Sequence, residues 1–589
     1  MAKHANNNGK KLATQQSVDS AVWSICDVMR RGNVASALQY VPELTWILFL
    51  RILDEAEERE AIEKRALGDG YTPSLAKPYR WTDWARPISP KTDKSENNKR
   101  RELSEEGSGK LLEFVNTKLI PYLKKLRDKP DATPRQKVIA EILSGVERVR
   151  IDTETNLLEV LDKVHEITQK DIDATHVFAL SQVYEGLLLK MGDKGSDAGQ
   201  FFTPREVIRA MVRVVDPKIG ERVYDPCCGT GGFLAQAAQY LHEKIKTGKG
   251  LPKGVSKARA TEIVKHETFY GREKENLIYP IGLANLILHG IDDPHVWHGN
   301  TLTGNQVYGG LFQGAPGAFE VILTNPPFGG KENTKSITGF DYPTSATEVL
   351  FLQSIIRSLV PGGRCGVVLP EGVLFRTNED AFTKTKKKLL EECDLWCIVS
   401  LPAGVFTAAG AGVKTNLLFF TRGKPTERIW YYDLSDRKVG KKTPLTLDDF
   451  KEFFELLPKR SDSERSWTLD FTARRRKGAA DAKPLRQTEA DKKAEAGLVK
   501  DRLATLKKAD SPDDEAIKAA EAEYAQLGRE AREAGNKAQA IEDAVYDLKA
   551  VNPNKKPDVD TRTPAQLLDL IEKKGREVAK AIAMLRAMK

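Results

Sequence analysis

The sequence predicts an α/β protein with a doubly wound, mostly parallel, Rossmann-like sheet, an α-helical N-terminal domain and a helical C-terminal extension. Three observations indicate this fold class. Apolar residues recur at helical spacing in the first third of the chain, short β-rich segments alternate with helical ones from about residue 170, and Ala, Glu, Lys and Leu dominate after about residue 484. We therefore expect domains at residues 1–165, 166–480 and 481–589.

The N-terminal region is interpreted as a set of helices interrupted by one polar stretch. Apolar residues stand one turn apart in 18–29, as in a helix with one buried face. The stretch 78–109 is rich in Pro and in charged residues, so we expect a surface loop or linker there. It contains Trp81 and Trp84, to which the sequence assigns no role. Further helices are predicted at 43–58, 110–126, 135–143 and 156–167.

Residues 166–480 alternate between strand-like and helical segments, which is typical of βαβ units and of a parallel sheet covered by helices. Ligands of such sheets lie at the carboxyl ends of the strands. The predicted strands are 222–224, 268–270, 319–324, 365–369, 396–401, 416–420 and 429–432. The predicted helices between them are 232–246, 275–289, 346–359 and 380–392.

The C-terminal region consists of amphipathic helical segments with few aromatic residues. One interpretation is a solvated helical tail or an antiparallel coiled-coil hairpin, and the other is an arm that docks on a partner. We favour docking, because such helices have little core of their own to bury. The predicted helices are 489–508, 513–534, 538–548 and 565–588.

Composition excludes several classes of protein. The chain has 589 residues, 40% hydrophobic and 30% charged, which rules out wholesale disorder. Its apolar runs, such as 46–50, are far shorter than a membrane span, and the polar N-terminus lacks the apolar core of a secretory signal. Six cysteines and eight histidines show neither disulfide nor metal-ligand spacing, so we expect no metal and a reduced, cytoplasmic location. The net charge of +9 permits contact with a polyanion without demonstrating it.

A glycine-rich turn follows the first predicted strand, in Val223-Tyr-Asp-Pro-Cys-Cys-Gly-Thr-Gly-Gly-Phe233. Glycines let the backbone approach a ligand, and the helix that follows offers free N–H groups. The Gly-Lys-Ser/Thr of a phosphate-binding loop is absent. Asp225 instead favours a ligand with a positive group, such as the amino end of S-adenosylmethionine.

Glu273 ends the next predicted strand, where an acid typically accepts hydrogen bonds from ribose hydroxyls. It is further from Asp225 than the roughly 20 residues usual in dinucleotide folds. We interpret the basic insertion 244–265 as a loop that accounts for the excess. The alternative is a plain surface acid at a strand end.

The segment Asn325-Pro-Pro-Phe328 follows an apolar strand and is the most informative motif. Two prolines stop the sheet and fix the backbone, so the Pro326 carbonyl and the Asn325 side-chain oxygen can point the same way. Two such acceptors can hold the hydrogens of an exocyclic amine and align its lone pair with an incoming methyl group. Phe328 can stack on a base taken out of a duplex. The alternative is a Pro-rich turn that happens to follow a strand.

With these motifs, the chain resembles the modification (M) subunit of type I restriction-modification systems, an adenine-N6 DNA methyltransferase with the γ motif order. The resemblance implies a methyltransferase form of the predicted sheet. Its motifs are Tyr184-Glu-Gly-Leu-Leu188, Gly199-Gln-Phe-Phe-Thr-Pro-Arg-Glu-Val207, the Asp225 loop, Asn325-Pro-Pro-Phe328, Leu401-Pro-Ala-Gly-Val-Phe406 and Gly412-Val-Lys-Thr-Asn-Leu-Leu-Phe-Phe420.

The resemblance implies S-adenosylmethionine as the cofactor and assigns its contacts. Phe202, Thr203 and Pro204 would line its methionine end, and Glu273 would hold its ribose. Asn300 stands where the family usually has an Asp that contacts the adenine ring, which an amide can also do. The loop residues assigned to the cofactor are Asp225, Gly229, Thr230, Gly231, Gly232 and Phe233.

The same resemblance assigns the target adenine to Asn325, Pro326, Pro327 and Phe328, with Phe406 packed nearby in the base pocket. Direct methyl transfer needs no thiolate, so we expect Cys227 and Cys228 to be small packing residues. Positioning should supply most of the rate.

The resemblance also implies partners. In the family, a separate specificity (S) subunit reads double-stranded DNA, two M subunits embrace it, and a motor-nuclease (R) subunit can join. The N-terminal helices would contact DNA or the second M subunit, and the C-terminal helices would pack on the S subunit. For Trp23 and Trp46, we expect core packing rather than base contact.

Three alternatives stay open from the sequence. A methylase that reads its own site would need a recognition domain in the C-terminal segment, whose composition argues against it. The intact motifs argue against a non-catalytic DNA-clamping scaffold subunit. A protein-glutamine methyltransferase also needs an Asn-Pro-Pro turn, but usually has Tyr in fourth place and a much shorter chain.

Overall fold

The computed structural model describes residues 15–34, 37–66, 68–88, 99–166, 203–303, 315–332, 339–406, 413–440, 443–508, 513–549, 551–554 and 563–587. Within these ranges, no helix is both long and apolar enough to cross a bilayer. The α-helices of eight residues or more are Gln15–Arg31, Ala37–Ala66, Lys99–Glu106, Pro134–Ile142, Glu154–His165, Arg205–Val215, Gly232–Thr247, Lys257–His266, Ile278–Leu288, Thr347–Ser358, Asp380–Glu392, Phe471–Lys507, Asp514–Ala544 and Pro564–Ala587. The shorter ones are Trp81–Trp84, Lys110–Phe114, Ile120–Lys124, Glu371–Phe375 and Lys451–Leu456.

The N-terminal helices share one core, to which the predicted linker contributes. Trp81 and Trp84 are both fully buried, and their rings meet edge to face with centroids 5.7 Å apart. Trp81 also donates from its indole N–H to Nδ1 of His165, at 3.1 Å. The prediction that 78–109 is a surface loop or linker was therefore wrong at both ends. Trp81–Trp84 is a buried helical turn, and Lys99–Glu106 is a helix that buries Arg100 and Leu103. Trp46 is buried as well, in line with core packing.

In the described part of the chain, nine strands form a single sheet in the order β3-β2-β1-β4-β5-β7-β6-β8-β9. All pairs are parallel except those of β7 with β5 and β6, and that of β9 with β8. The mostly parallel sheet of the predicted fold class is confirmed. The strands are β1 Val223–Asp225, β2 Phe269–Glu273, β3 His295–His298, β4 Phe319–Thr324, β5 Leu359–Pro370, β6 Cys393–Ser400, β7 Thr415–Arg422, β8 Arg428–Asp433 and β9 Ser466–Asp470.

Helices cover both faces of the sheet. Alternate residues of β4 belong to different cores: Val321 packs with the helices Arg205–Val215 and Gly232–Thr247, whereas Ile322 packs with Thr347–Ser358 and Asp380–Glu392. Because successive side chains of a strand point to opposite faces, this division shows one core on each side. The sheet is therefore doubly wound, as the sequence predicts.

The two edge strands, β3 and β9, were not predicted from the sequence. Both are short and lack a run of β-branched residues: β3 begins and ends with a histidine, and β9 alternates between intermediate and exposed side chains after its first residue. An edge strand has a neighbouring strand along only one of its two sides, and its hydrophobic signal in the sequence is therefore weak. The basic insertion 244–265 was also misjudged as a loop, since the helix Lys257–His266 occupies most of its second half, capped by the Ser256 hydroxyl.

The C-terminal region begins with two long helices, Phe471–Lys507 and Asp514–Ala544, that pack as an antiparallel hairpin. Arg486 pairs with Glu542 near the sheet, and Lys507 pairs with Glu521 near the tip. The antiparallel hairpin is thus observed for these two helices, and it leaves the proposed docking on a partner open. Its first helix starts earlier than predicted and continues through Pro484.

An ionic cluster joins the N-terminal helices to the sheet domain. The Arg135 guanidinium, 11% exposed, contacts Glu60 at 2.9 Å and Asp292 at 2.6 Å. Asp292 lies just beyond the helix Ile278–Leu288 and also faces Lys265 at 3.3 Å. A buried charge pair of this kind constrains geometry more than it adds net stability. It holds the N-terminal helices against the helix that supports the glycine-rich loop.

Candidate functional site

The predicted site residues lie along one edge of the sheet, where β3, β2, β1 and β4 end. Asp225 is the last residue of β1, Glu273 the last of β2, and Asn325 follows β4 directly. Asn300 lies two residues beyond β3. Because these strands are parallel neighbours, their carboxyl ends bring together residues that are far apart in the sequence.

The glycine-rich loop after β1 is held by its own backbone and by β2. Gly229 and Gly231 have φ angles of 54° and 77°, which residues with a Cβ rarely adopt. The Gly231 N–H donates to the Cys228 carbonyl, and the Cys228 N–H donates to the Arg272 carbonyl, both at 2.8 Å. The helix Gly232–Thr247 therefore begins with its N–H groups at the carboxyl edge.

The helix Ile278–Leu288 supports this loop from behind. A Cβ placed on Gly282 would lie 2.8 Å from the Gly229 carbonyl oxygen, so the helix and the loop are in backbone contact. Asn285, fully buried, donates from Nδ2 to the Thr230 carbonyl at 2.8 Å. The sequence analysis did not single out either residue, although a glycine within an apolar helix is a usable sign of close backbone approach.

Glu273 is tied to the glycine-rich loop. Its Oε2 accepts the Gly229 N–H at 2.8 Å, and its Oε1 accepts the Glu275 N–H at 2.7 Å. Burial raises the pKa of Glu273 to about 7, against the opposing effect of these backbone donors. It is therefore no plain surface acid, and each oxygen keeps a lone pair for a further donor such as a hydroxyl.

Asp225 connects the loop to the end of β4. Its Oδ1 accepts a hydrogen bond from the Thr324 hydroxyl at 2.7 Å and one from the Cys227 N–H at 3.1 Å. The side chain is 1% exposed, and burial raises its pKa to about 7 although these donors favour the ionised form. Thr324, which the sequence analysis overlooked, thus joins the glycine-rich loop to the Asn-Pro-Pro-Phe segment.

These two carboxyls fit a cationic ligand that carries hydroxyl groups. Among the described residues, neither Asp225 nor Glu273 forms an ion pair, and the like charge of Glu273 adds to the effect of burial in raising the pKa of Asp225. Buried acids without a counter-charge are costly to ionise. A ligand with a positive group and ribose hydroxyls would supply the missing charge and donors.

The Asn-Pro-Pro-Phe segment forms a fixed corner at the end of β4. Asn325 donates from Nδ2 to the Thr203 hydroxyl oxygen at 3.0 Å. Its Oδ1 is buried and has no hydrogen-bond partner in the described part of the chain. A buried acceptor left unsatisfied costs about 1–3 kcal/mol. The corner therefore offers an acceptor to a donor that the protein itself does not provide.

The rest of the corner packs against the helix Thr347–Ser358. The Thr347 hydroxyl donates towards the Pro327 carbonyl at 3.3 Å, and a Cβ on Gly330 would lie 2.9 Å from the same hydroxyl. The half-buried Phe328 meets the buried Phe406 edge to face, with ring centroids 5.8 Å apart and an interplanar angle of 76°. The two predicted base-pocket rings are thus in contact.

Asn300 is engaged within the protein by both ends of its amide. Oδ1 accepts the Leu302 N–H at 2.9 Å, and Nδ2 donates to Glu332 at 3.0 Å. Glu332 in turn faces Lys274 at 3.5 Å. The segment after β4 therefore reaches back across the edge towards the ends of β2 and β3. The sequence analysis missed Glu332, because nothing local marks a residue whose partners are so distant in the chain.

Three further residues were predicted to bind the cofactor: Phe202, Pro204 and Phe233. Phe202 lies outside the described residues, as do the motif stretches 184–188 and 199–201. Pro204 immediately precedes the helix Arg205–Val215 and begins its hydrogen-bond ladder. Phe233 is 3% exposed and packs in the core beneath the loop rather than at its surface.

The adjacent cysteines are packing residues in a buried loop. Cys228 is buried, and the Cys227 thiol lies 3.1 Å from the Thr324 hydroxyl. Burial raises the pKa of both thiols well above the usual value, which opposes a thiolate. Across the described ranges, no three His, Cys, Asp or Glu side chains are grouped so that they could hold a metal ion.

Known proteins match this chain over most of its length. The N-6 DNA Methylase family matches residues 175–474, and the HsdM N-terminal domain family matches residues 18–164. The type I restriction enzyme EcoEI methylase subunit of Escherichia coli is 36% identical over 445 residues, which are 74% of this chain and 82% of that one.

Solved structures from type I restriction systems also resemble this chain. A modification subunit ascribed to a type I restriction enzyme of Vibrio vulnificus YJ016 is 31% identical, with a TM-score of 0.65 over 79% of this chain and 94% of that one. A chain from a structure on complex assembly and conformational transition of the type I R-M system is 32% identical, with a TM-score of 0.58 over 97% and 98%.

The contact behind the loop can be tested with Gly282→Ala. The added methyl group must displace the Gly229 carbonyl, so we expect a loss of about 1–3 kcal/mol in stability and weaker binding of the predicted cofactor. The control is Gly528→Ala, also within a helix, where a Cβ meets nothing within 4 Å. Thermal unfolding and calorimetric titration with S-adenosylmethionine measure both. Equal behaviour of the two variants would show that the loop does not depend on this contact.

Proposed function

This chain belongs to the N-6 DNA methylase family and is a methyltransferase of the type I modification-subunit kind, and we propose that it transfers the methyl group of S-adenosylmethionine to N6 of adenine in double-stranded DNA. The observation that carries the proposal is the unsatisfied Oδ1 of Asn325 at the end of β4. An exocyclic amine has the two donors that this oxygen and the Pro326 carbonyl can accept.

The cofactor would bind across the ends of β1 and β2. Asp225 would face its positively charged methionine end, together with Thr203 and Pro204. Glu273 would accept from its ribose hydroxyls, and Asn300 would lie against its adenine. The raised pKa values of the two buried carboxyls support this placement, because a cation relieves the cost of ionising them.

Bound S-adenosylmethionine supplies an electrophilic methyl group on a sulfonium. The chain's own contribution is to orient the amine that attacks it. The lone pair of an aromatic amine is delocalised into the ring, and holding both N–H groups in fixed directions favours the geometry in which the lone pair faces the methyl group. Phe328 would stack on the extruded base, with Phe406 behind it. Fixed acceptors need no reorganisation during transfer.

For partners, we propose double-stranded DNA, a specificity subunit that chooses the sequence, a second M subunit, and a motor-nuclease subunit in systems that restrict. The three predicted domains would divide these tasks, with DNA and the second M subunit on 1–165 and the specificity subunit on 481–589. In support, the last helix exposes an apolar face on one side, as a docking helix would. Its exposed residues are Leu568, Ile571, Val578 and Ile582.

Replacement of Asn325 or Phe328 by Ala tests the base site. Asn325→Ala removes one of two fixed acceptors, so we expect methyl transfer to fall by about 100-fold or more, while assembly with the specificity subunit persists. Asn552→Ala is a control, since that side chain donates to the Glu464 carbonyl beside the start of β9 and accepts the Asn554 N–H, and touches no residue of the proposed site. Nucleoside mass spectrometry of DNA treated with the assembled complex identifies the methylated base. Wild-type rates in Asn325→Ala, or methyl groups on cytosine, would contradict the proposal.

Cofactor affinity should rise with pH. Burial raises the pKa of Asp225 to about 7 in the free protein, so part of the population is protonated near neutrality. A bound cation favours the carboxylate, and binding then releases a proton. With Asp225 as the titrating group, the affinity for the cofactor grows about eightfold from pH 6 to pH 7.5. This pH range lies below the pKa of an α-amino group, so the amino group of the cofactor stays charged throughout. Calorimetry in buffers of different ionisation enthalpy counts the protons.

The matched variant for this titration is Asp225→Asn, which keeps the shape but cannot ionise. It should bind the cofactor more weakly and release fewer protons, with a flatter pH dependence. An affinity that falls between pH 6 and 7.5 in the wild type, or an unchanged profile in Asp225→Asn, would be inconsistent with a cation at this carboxyl.

A further inference from the structure

Resting on the proposed function, we propose that Glu332 selects the adenine ring of the cofactor: its carboxylate accepts a hydrogen bond from the exocyclic amine of that ring. The resemblance places an acid for this contact at position 300, where this chain has Asn. The structure brings Oε1 of Glu332 to 3.0 Å from Nδ2 of Asn300, across 32 residues of sequence. A different segment thus supplies the acid that position 300 lacks.

The hydrogen bonds of Asn300 fix which way its amide points. Its Oδ1 accepts the Leu302 N–H at 2.9 Å, and a backbone N–H can only donate. Its Nδ2 donates to Glu332, and an ionised carboxylate can only accept. Both partners therefore require the same orientation, with the nitrogen towards Glu332. The second N–H of this nitrogen suits a ring nitrogen of adenine, whereas it would repel an exocyclic amine.

Glu332 keeps acceptor capacity for a ligand. A carboxylate has about four acceptor positions on its two oxygens. The described side-chain contacts of Glu332, those with Asn300 and with Lys274 at 3.5 Å, both fall on Oε1. The side chain is 17% exposed, so it is neither sealed in the core nor free in solvent. Its second oxygen can therefore accept from a group bound at the sheet edge.

Glu332 also lies beside the predicted path of the cofactor. Asn300 follows β3, and Lys274 follows Glu273, the last residue of β2, so Glu332 contacts residues just beyond both strand ends. With the ribose on Glu273, the adenine would lie next along the edge, towards β3. The ring would then meet an acceptor for its amine on Glu332 and a donor for a ring nitrogen on Asn300.

The backbone holds Glu332 in place. Its N–H donates to the Ser345 carbonyl at 3.0 Å, and Lys331 forms a bridge with Ala346. These contacts tie the segment to the residues that precede the helix Thr347–Ser358, which is packed in the core on one face of the sheet. An acceptor on anchored backbone can discriminate between ligands, because it does not move aside at no cost.

Calorimetric titration of the full chain with two cofactor analogues tests the proposal. S-adenosylhomocysteine carries the amine, whereas S-inosylhomocysteine has in its place a carbonyl oxygen, which a carboxylate repels. We expect the wild type to bind the adenosyl analogue about tenfold more tightly, or better. Glu332→Gln should reduce this preference to less than about threefold, because a glutamine amide can also donate to the carbonyl oxygen. An unchanged preference in Glu332→Gln, whatever the absolute affinities, would overturn the proposal, because a purely structural residue acts on both analogues alike.

The control variant is Glu320→Gln. Glu320 lies near the start of β4, away from the carboxyl edge, and pairs with Arg222 at 2.6 Å. The change removes a carboxylate from an ion pair of the same sheet, so the preference for the adenosyl analogue should stay at the wild-type value. An equal loss of preference in the control would show a general disturbance of the sheet and would overturn the proposal.

An exchange of the acid and the amide tests the same point from the other side. Asn300→Asp combined with Glu332→Gln moves the acid to the end of β3, where it can accept from the amine itself. We expect this double variant to recover the preference that Glu332→Gln loses. Failure to recover it would overturn the proposal, because the loss in Glu332→Gln would then not come from a missing acceptor.

The outcomes separate this inference from the proposed function. If the wild type binds neither analogue, the cofactor assignment of the proposed function fails. If the wild type binds S-adenosylhomocysteine but shows no preference over the inosyl analogue, or if Glu332→Gln keeps that preference, the proposed function stands and the role of Glu332 fails.

Discussion

The hydrogen bond from the Thr324 hydroxyl to the Asp225 carboxylate is the interaction on which the site depends. It joins the ends of β4 and β1, and with them the diproline corner and the glycine-rich loop. Methyl transfer requires a donor site and an acceptor site at a fixed separation, since small displacements of the reacting atoms are costly. A parallel sheet provides this separation through neighbouring strand ends, and the buried bond locks it.

The site concentrates features that lower stability elsewhere in proteins. Asp225 and Glu273 are buried with raised pKa values, and the Asn325 oxygen is buried without a partner. Each costs free energy in the free protein. A cation with hydroxyl groups and an amine with two N–H groups would satisfy all three at once. The unpaired groups at this sheet edge therefore match the chemical groups of two ligands: a cation with hydroxyl groups for the two acids, and an amine for the Asn325 oxygen.

Much of the fold follows from sequence periodicity. The seven apolar strands are predicted because buried parallel strands give clear hydrophobic runs, whereas β3 and β9 are missed because edges do not. The glycine-rich loop and the diproline corner are local patterns, so their positions at strand ends are predictable. Thr324, Glu332 and the contact of Thr203 with Asn325 are not, because a polar residue whose partner is distant in sequence leaves no local trace.

The central claim is that the Asn325 oxygen accepts the amino group of the target base. It is tested most directly by a structure of the assembled complex with target DNA and a cofactor analogue that cannot transfer methyl. We expect an extruded adenine whose N6 lies within about 3.2 Å of both Asn325 Oδ1 and the Pro326 carbonyl. A target adenine bound elsewhere, with Oδ1 satisfied by a protein group, would contradict it.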